Sequence, residues 1–169
     1  LRRLAPDVMH VMLKLDGGER IAFYAGQDIN ILLDDGAKRS FSFATAPSLG
    51  GPMRERIELH IRRIPGGRYT AHVFEQMRAG ERVRFEGPLG SFFLREDSEK
   101  PIIFVAGSSG FAPVKSVLEY AFARGIQRRM FLYWGVLRPE DLYLRELPER
   151  WAREHENFTF VPVISGLVH

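Results

Sequence analysis

The sequence predicts an antiparallel barrel or sandwich followed by half of a doubly wound α/β domain. Three observations carry that expectation. The first hundred residues hold short strand-like runs at regular spacing, divided by turn signals rich in glycine. After Lys100 the runs become continuously apolar, with helical stretches between them. The change falls at "SEKP", residues 98 to 101, which places one unit over 1–98 and a second over 99–169.

In chain order, Val8–Leu15, Gln27–Leu33, Ser40–Ala44, Ile57–Ile64 and Arg82–Glu86 read as strands. Asp16-Gly17-Gly18, Asp34-Asp35-Gly36, Pro65-Gly66-Gly67 and Gly87-Pro88 supply the turns. One helix interrupts them: Thr70 is placed to cap it, Val73, Phe74 and Met77 form its apolar side, and Gly80 ends it. In the second unit "PIIFVAG" is expected as a parallel strand buried on both faces. A helix follows from about Ala112, with Pro113 suited to its first turn and Gly125 to its end. "MFLYWGV" is a second buried strand, and "NFTFVPVIS" a third. Between them "RPEDLYLRELPERWAREH" reads as helix in two pieces, broken at Pro148. The chain shows no internal repeat and no low-complexity segment.

Composition excludes several classes of chemistry. The 24 Lys and Arg exceed the 21 Asp and Glu by three, too mild and too dispersed an excess to point to a nucleic-acid partner. With no cysteine, the chain has no disulfide, no thiolate nucleophile and no thiolate-held iron–sulfur cluster, which fits a cytoplasmic protein. The longest apolar run, Met130 to Leu137, is far below the roughly 20 residues that span a bilayer, so no membrane helix is expected. His10, His72, His155 and His169 are scattered without ligand spacing, and no metal site is expected. The chain begins at Leu1 and stops just after a strand-like run, so both ends are expected to be cuts within a longer sequence.

Two stretches could carry chemistry. "AGSSGFAP", residues 106 to 113, joins a buried strand to a helix through small residues, where free N–H groups suit a nucleotide phosphate or a polar ring. It is not the GxGxxG fingerprint, and it equally suits a plain strand–helix turn. "RSFSFATAP", residues 39 to 47, sets a cation for phosphate, a flat ring for stacking and a hydroxyl close together on one strand. Arg39 and Phe41 share one face of that strand, Ser40 and Ser42 the other. Bringing all of them to one ligand therefore asks for a twist, a bulge or use of the backbone. An exposed strand with a surface arginine and a core phenylalanine is the plainer reading.

The order and spacing of "RSFS", "LHIRR", "GGRYT", "GPLGSFFL", "AGSSGFAP" and "LYWGVLRPEDLY" resemble the ferredoxin–NADP reductase superfamily over essentially the whole chain. More narrowly, they are similar to the FAD/NAD(P)H reductase module of oxygenase reductases and of the CDP-6-deoxy-hexoseen reductases. The resemblance implies an FAD-binding Greek-key β-barrel, then a partial Rossmann-like NAD(P)-binding domain. It implies that Arg39 binds the flavin pyrophosphate, that Phe41 stacks on the isoalloxazine in place of the family's usual Tyr, and that Ser42 hydrogen-bonds N5. His60, Ile61 and Arg62 would line the flavin mainly through backbone groups; Gly67, Tyr69 and Thr70 match the family's helix start at the pyrophosphate. Gly107, Ser108, Ser109 and Gly110 would underlie the pyridine nucleotide. Pro113 belongs to the same motif. Trp134, Gly135 and Arg138 match the strand end that meets the adenosine part, although Trp134 equally suits the core and Arg138 a solvated surface.

So read, the chain is a flavoprotein oxidoreductase. Hydride passes from NADH or NADPH, with NADH favoured, to FAD beside Ser42, and electrons go singly to an iron–sulfur protein or an oxygenase or dehydrase partner. A 2Fe-2S cluster needs four cysteines and would lie outside this chain. The family's Cys-Gly motif and C-terminal segment are not found, so the nucleotide-binding domain is expected to be incomplete. Two other readings stay open: a flavin-bearing electron-transfer subunit inactive without its partner enzyme, and a cofactor-free binding module.

Overall fold

A computed structural model describes residues 1–48 and 54–166. The first unit contains β1 (Arg2–Ala5), β2 (Val8–Lys14), β3 (Asp28–Leu32), β4 (Lys38–Ser42), β5 (Arg56–Arg62), α1 (Arg68–Glu75) and β6 (Arg84–Leu89). Alternation along the strands sorts side chains between core and solvent: Ile29 and Ile31 of β3 point inward, as do Ile57, Leu59 and Ile61 of β5. With Phe23, Phe43, Val73 and Met77 they build one core. The two phenylalanine rings meet at 4.1 Å.

The hydrogen-bonded ring of a closed barrel is not formed among the described residues. The strands make two antiparallel three-stranded sheets, β1-β2-β5 and β4-β3-β6. The sheets join where Phe43 bridges Leu59 and the Ala44 N–H donates to the Glu58 carbonyl. Beyond that point β4 and β5 part, and the gap between them matters below.

In the second unit β7 (Ile102–Gly107), β8 (Met130–Val136) and β9 (Phe158–Ile164) form a parallel sheet in that order, with α2 (Phe111–Ala123) and α3 (Glu146–Glu154) as the connecting helices. Phe104, Leu132, Trp134 and Phe158 pack with Phe111, Leu118 and Trp151 in a second core. The expectation that β7 is buried on both faces fails: Ile103 is 66% and Val105 80% exposed. Both crossovers step the same way across the sheet, and right-handed connections then place both helices on one face. Pro162 is tolerated in β9 because that strand is an edge.

Three local expectations also change. Pro148 does not break a helix; it is the third residue of α3, where its missing N–H has no partner to lose. The break falls earlier, between the 3₁₀ turn Pro139–Asp141 and Glu146. Thr70 is not the cap of α1, which Gly67 occupies, and α1 stops at Glu75, well before Gly80. Gly125 does close α2. It adopts φ 66°, its N–H donates to Phe122 and that of Ile126 to Ala121, the two bonds of a Schellman turn.

The two units are docked. Val8 and Ala25 of the first enter the core of the second. Ser116 of α2 donates to the Thr45 carbonyl at 2.6 Å and accepts from the Gly26 N–H at 3.3 Å. No helix among the described residues is long and apolar enough to cross a membrane.

Candidate functional site

Where β4 and β5 diverge, a cavity of about 530 Å³ opens. Arg39, Ser40, Phe41 and Ser42 line one side, His60 and Arg62 the other. The turn and first residues of α1 (Gly67, Tyr69, Thr70) close one end, and Ser109, Gly110 and Pro113 of the second unit form a further wall. All four β4 residues reach the same space although their side chains alternate. Neither twist nor bulge is responsible, since β4 pairs with β3 in unbroken register from Asp28↔Ser42 to Leu32↔Lys38. The reason is that β4 is an edge strand, so both its faces and its free edge border the gap.

The lining is cationic and partly pre-set. Arg39 is exposed, donates to the Lys38 carbonyl at 2.8 Å, and has no carboxylate within 4 Å among the described residues. Ser40 is held by Asp28 at 2.8 Å, which leaves Ser42 as the freer hydroxyl. Thr70 accepts from the Ile64 N–H and donates to the Gly67 carbonyl, each at 3.1 Å, so it secures the turn entering α1. Tyr69 is buried, its hydroxyl has no partner among the described residues, and burial pushes its pKa up to about 12. A Cβ built on Gly110 would meet nothing within 4 Å; a ligand can therefore approach the backbone there.

His60 does more than its backbone. Its ring is buried, and Nδ1 lies 3.1 Å from the Tyr143 hydroxyl of the second unit. Burial, helped by the Lys115 charge, lowers its pKa to about 3. A histidine kept neutral in the folded state is protonated first in the unfolded one. Its contribution is thus complete above the unfolded value of 6.5 and is lost as pH falls towards 3. Replacing His60 by Gln is expected to flatten the fall in stability between pH 6.5 and 4.5, measured by urea unfolding at a series of pH values.

A second cavity of about 360 Å³ lies at the carboxyl ends of the parallel strands, where α/β sheets bind ligands. Gly107, Ser108 and Gly135 line it, with Asp141 and Ser165. Arg62 borders both cavities. Its Nε donates to Asp7 and its Nη1 to the Ser108 hydroxyl, both at 2.8 Å. Ser108 takes a left-handed φ of 47°, a conformation costing about 1–3 kcal/mol for a side-chain-bearing residue. The Trp134 indole donates to its carbonyl at 2.9 Å and helps hold it there.

The remaining expected residues stand apart. Trp134 is fully buried in the core and stacks on Phe111. Ile61 points into the first core. Arg138 is exposed and paired with Asp141 and Glu140, and it lines neither cavity. Among the described residues no cluster of potential metal ligands occurs, and His169 lies outside them. Asp7, Lys115 and Tyr143 escaped the sequence reading. Asp7 and Tyr143 gave no signal, because their partners lie 55 and 83 residues away. Lys115 did: a lysine within the apolar run of α2, with Glu119 four residues on, marks a buried cation.

Residues 2–94 match the family described as the oxidoreductase FAD-binding domain. The chain belongs to this family of FAD-binding oxidoreductases. Residues 104–168 match the oxidoreductase NAD-binding domain. Reductase component 1 of terephthalate 1,2-dioxygenase from Comamonas is 40% identical over 96% of the chain and 47% of its own length. The CDP-6-deoxy-L-threo-D-glycero-4-hexulose-3-dehydrase reductase of Yersinia pestis is 37% identical over 96% of the chain and 47% of its length. The crystal structure of the Amycolatopsis cytochrome P450 reductase GcoB superposes with a TM-score of 0.85 at 37% identity, covering 96% of this chain and 49% of that one. The FAD-binding oxidoreductase chain thus has a ferredoxin-reductase-like fold, and it spans about half the length of the curated relatives it matches.

Proposed function

We propose that this chain is the flavin-reducing part of an electron-transfer reductase, which draws on NAD(P)H and serves an iron–sulfur partner outside the chain. One observation carries it. The cation, ring and hydroxyl of β4 border the same cavity as Ser109, Gly110 and Pro113 of the nucleotide-binding half, so donor and acceptor rings would meet there.

The lining of the cavity suits a flavin in its chemistry. Arg39 would pair with the pyrophosphate, supported by the N–H groups that begin α1 at Gly67. Phe41 would present its face to the isoalloxazine, keeping the stacking surface without a phenol oxygen. Ser42 would offer its hydroxyl to N5. FAD, when bound, accepts hydride at N5 and hands electrons on singly. Gly107 and Ser108 would support the pyridine nucleotide in the second cavity, Ser109 and Gly110 where it meets the first, and Arg62 stands between the two. Gly135, at the strand end that borders the second cavity, completes the proposed set. NADH is the favoured donor on the likeness to the family.

The relatives' names supply the partner class, an oxygenase or a dehydrase system. A chain without cysteine holds no 2Fe-2S cluster of its own and suits a reducing, cytoplasmic compartment.

An absorption spectrum of the purified chain, followed by anaerobic NADH and NADPH additions, tests the reading. Flavin bands bleached by NADH support it. Bands that persist with both nucleotides overturn the reductase activity, and no bands after incubation with FAD overturn the roles of Arg39, Phe41 and Ser42. Ser42→Ala is expected to retain FAD but slow bleaching roughly tenfold, the loss of one hydrogen bond of about 1.4 kcal/mol.

A further inference from the structure

We infer that Lys115 is a positioning residue that fixes the two walls of the first cavity relative to each other. The inference deepens the proposed function and rests on it for its kinetic consequence alone.

Lys115 is on α2, two residues after the cavity-lining Pro113, and only 9% of it is exposed. An ammonium has three donors and no acceptor. Here all three are used: on the Ala44 carbonyl at 2.9 Å, on Glu58 Oε2 at 3.2 Å, and on the Glu119 carboxylate at 3.0 Å. Ala44 stands two residues beyond Ser42, and Glu58 two residues before His60 on the facing strand. One side chain of the nucleotide-binding half therefore grips both strands of the flavin-binding half, at the point where the Phe43–Leu59 bridge holds those strands together. Ser42 and Pro113 are each two residues from that shared contact. Ser116 adds its bond to Thr45 beside it.

The surroundings are built for the ammonium. Burial opposes ionisation of Glu58, but the His10 imidazole at 3.8 Å and Lys115 outweigh it and bring its pKa down to about 2. Burial pushes Glu119 up in spite of Lys115. Had the cluster served only to balance charge, removing the ammonium together with one carboxylate charge would leave the geometry intact, since buried pairs are often replaced at little cost. A tie needs the bond to Ala44, which no charge balancing restores.

The test uses Lys115→Met and the charge-balanced double variant Lys115→Met with Glu58→Gln. The chain lacks cysteine, so cysteines at the exposed Lys14 of β2 and Ala152 of α3 carry paired spin labels, one on each half. Distances between them are measured by double electron–electron resonance in the full chain, with and without FAD. A narrow distribution in the parent that broadens in both variants is expected. With FAD bound, the double variant should keep its flavin affinity while reduction at saturating NADH falls roughly 10- to 100-fold, as expected for reacting groups displaced by about 1 Å. A double variant with a distribution as narrow as the parent's overturns the inference. A parent that takes up no flavin overturns the proposed function instead, and the label distances still decide the tie.

Discussion

Replacing Trp134 by alanine is expected to destabilise the protein by about 3–5 kcal/mol, the usual range for a buried tryptophan. The side chain has no exposure. Its ring stacks on Phe111 at 4.0 Å and meets Tyr143 edge-on at 5.2 Å, so truncation removes two aromatic contacts as well as buried area. It also takes the indole donor from the Ser108 carbonyl, which keeps the Phe111 N–H. For a chain of this length each kcal/mol moves the melting temperature by about 2–4 °C, so a fall of roughly 6–20 °C is expected by differential scanning calorimetry. Trp134→Phe keeps most of the packing and loses the hydrogen bond, and about 1–2 kcal/mol should be lost. An alanine variant within about 1 kcal/mol of the parent would contradict the core placement and favour a ligand-facing tryptophan.

Arg39→Ala should show the opposite profile, a large effect on binding and almost none on stability. The guanidinium is exposed at the mouth of the first cavity and balances no carboxylate within 4 Å among the described residues, so little of the fold depends on it. Against a pyrophosphate it would make charge-assisted bonds, worth about 1.5–3 kcal/mol. FAD should therefore bind roughly 10- to 150-fold more weakly, read from fluorescence quenching on titration. Arg39→Lys should recover part of this, because an ammonium supplies the charge without the two-pronged geometry. An alanine variant that binds FAD as tightly as the parent would remove Arg39 from the site.

The sequence and the structure agree best where local rules decide. Most strands and the Gly125 turn follow from alternation and backbone conformation; β1 gave no such signal, and Gly87-Pro88, expected as a turn, lies inside β6. The first cavity collects Arg39, Phe41, Ser42, Gly67 and Gly110, all visible as short motifs. What escaped depends on the third dimension. That both faces of "RSFS" serve one cavity follows from β4 being a sheet edge, a property of strand order and not of the strand. The exposed face of β7 follows from the direction of two successive crossovers, although the run itself is apolar throughout. Pro148 misled because a proline signals a helix break or a first turn with the same residue, and only the position of the helix start separates them.

Arg62 forms part of the wall of both chambers and is braced by Asp7 and Ser108. A shared wall makes the occupants thermodynamic neighbours even where they do not touch. Any guest that shifts this guanidinium by entering one chamber alters the free energy of filling the other, and the influence runs back with equal magnitude. The order in which the two are filled can then change the rates of loading but never the strength of that mutual influence.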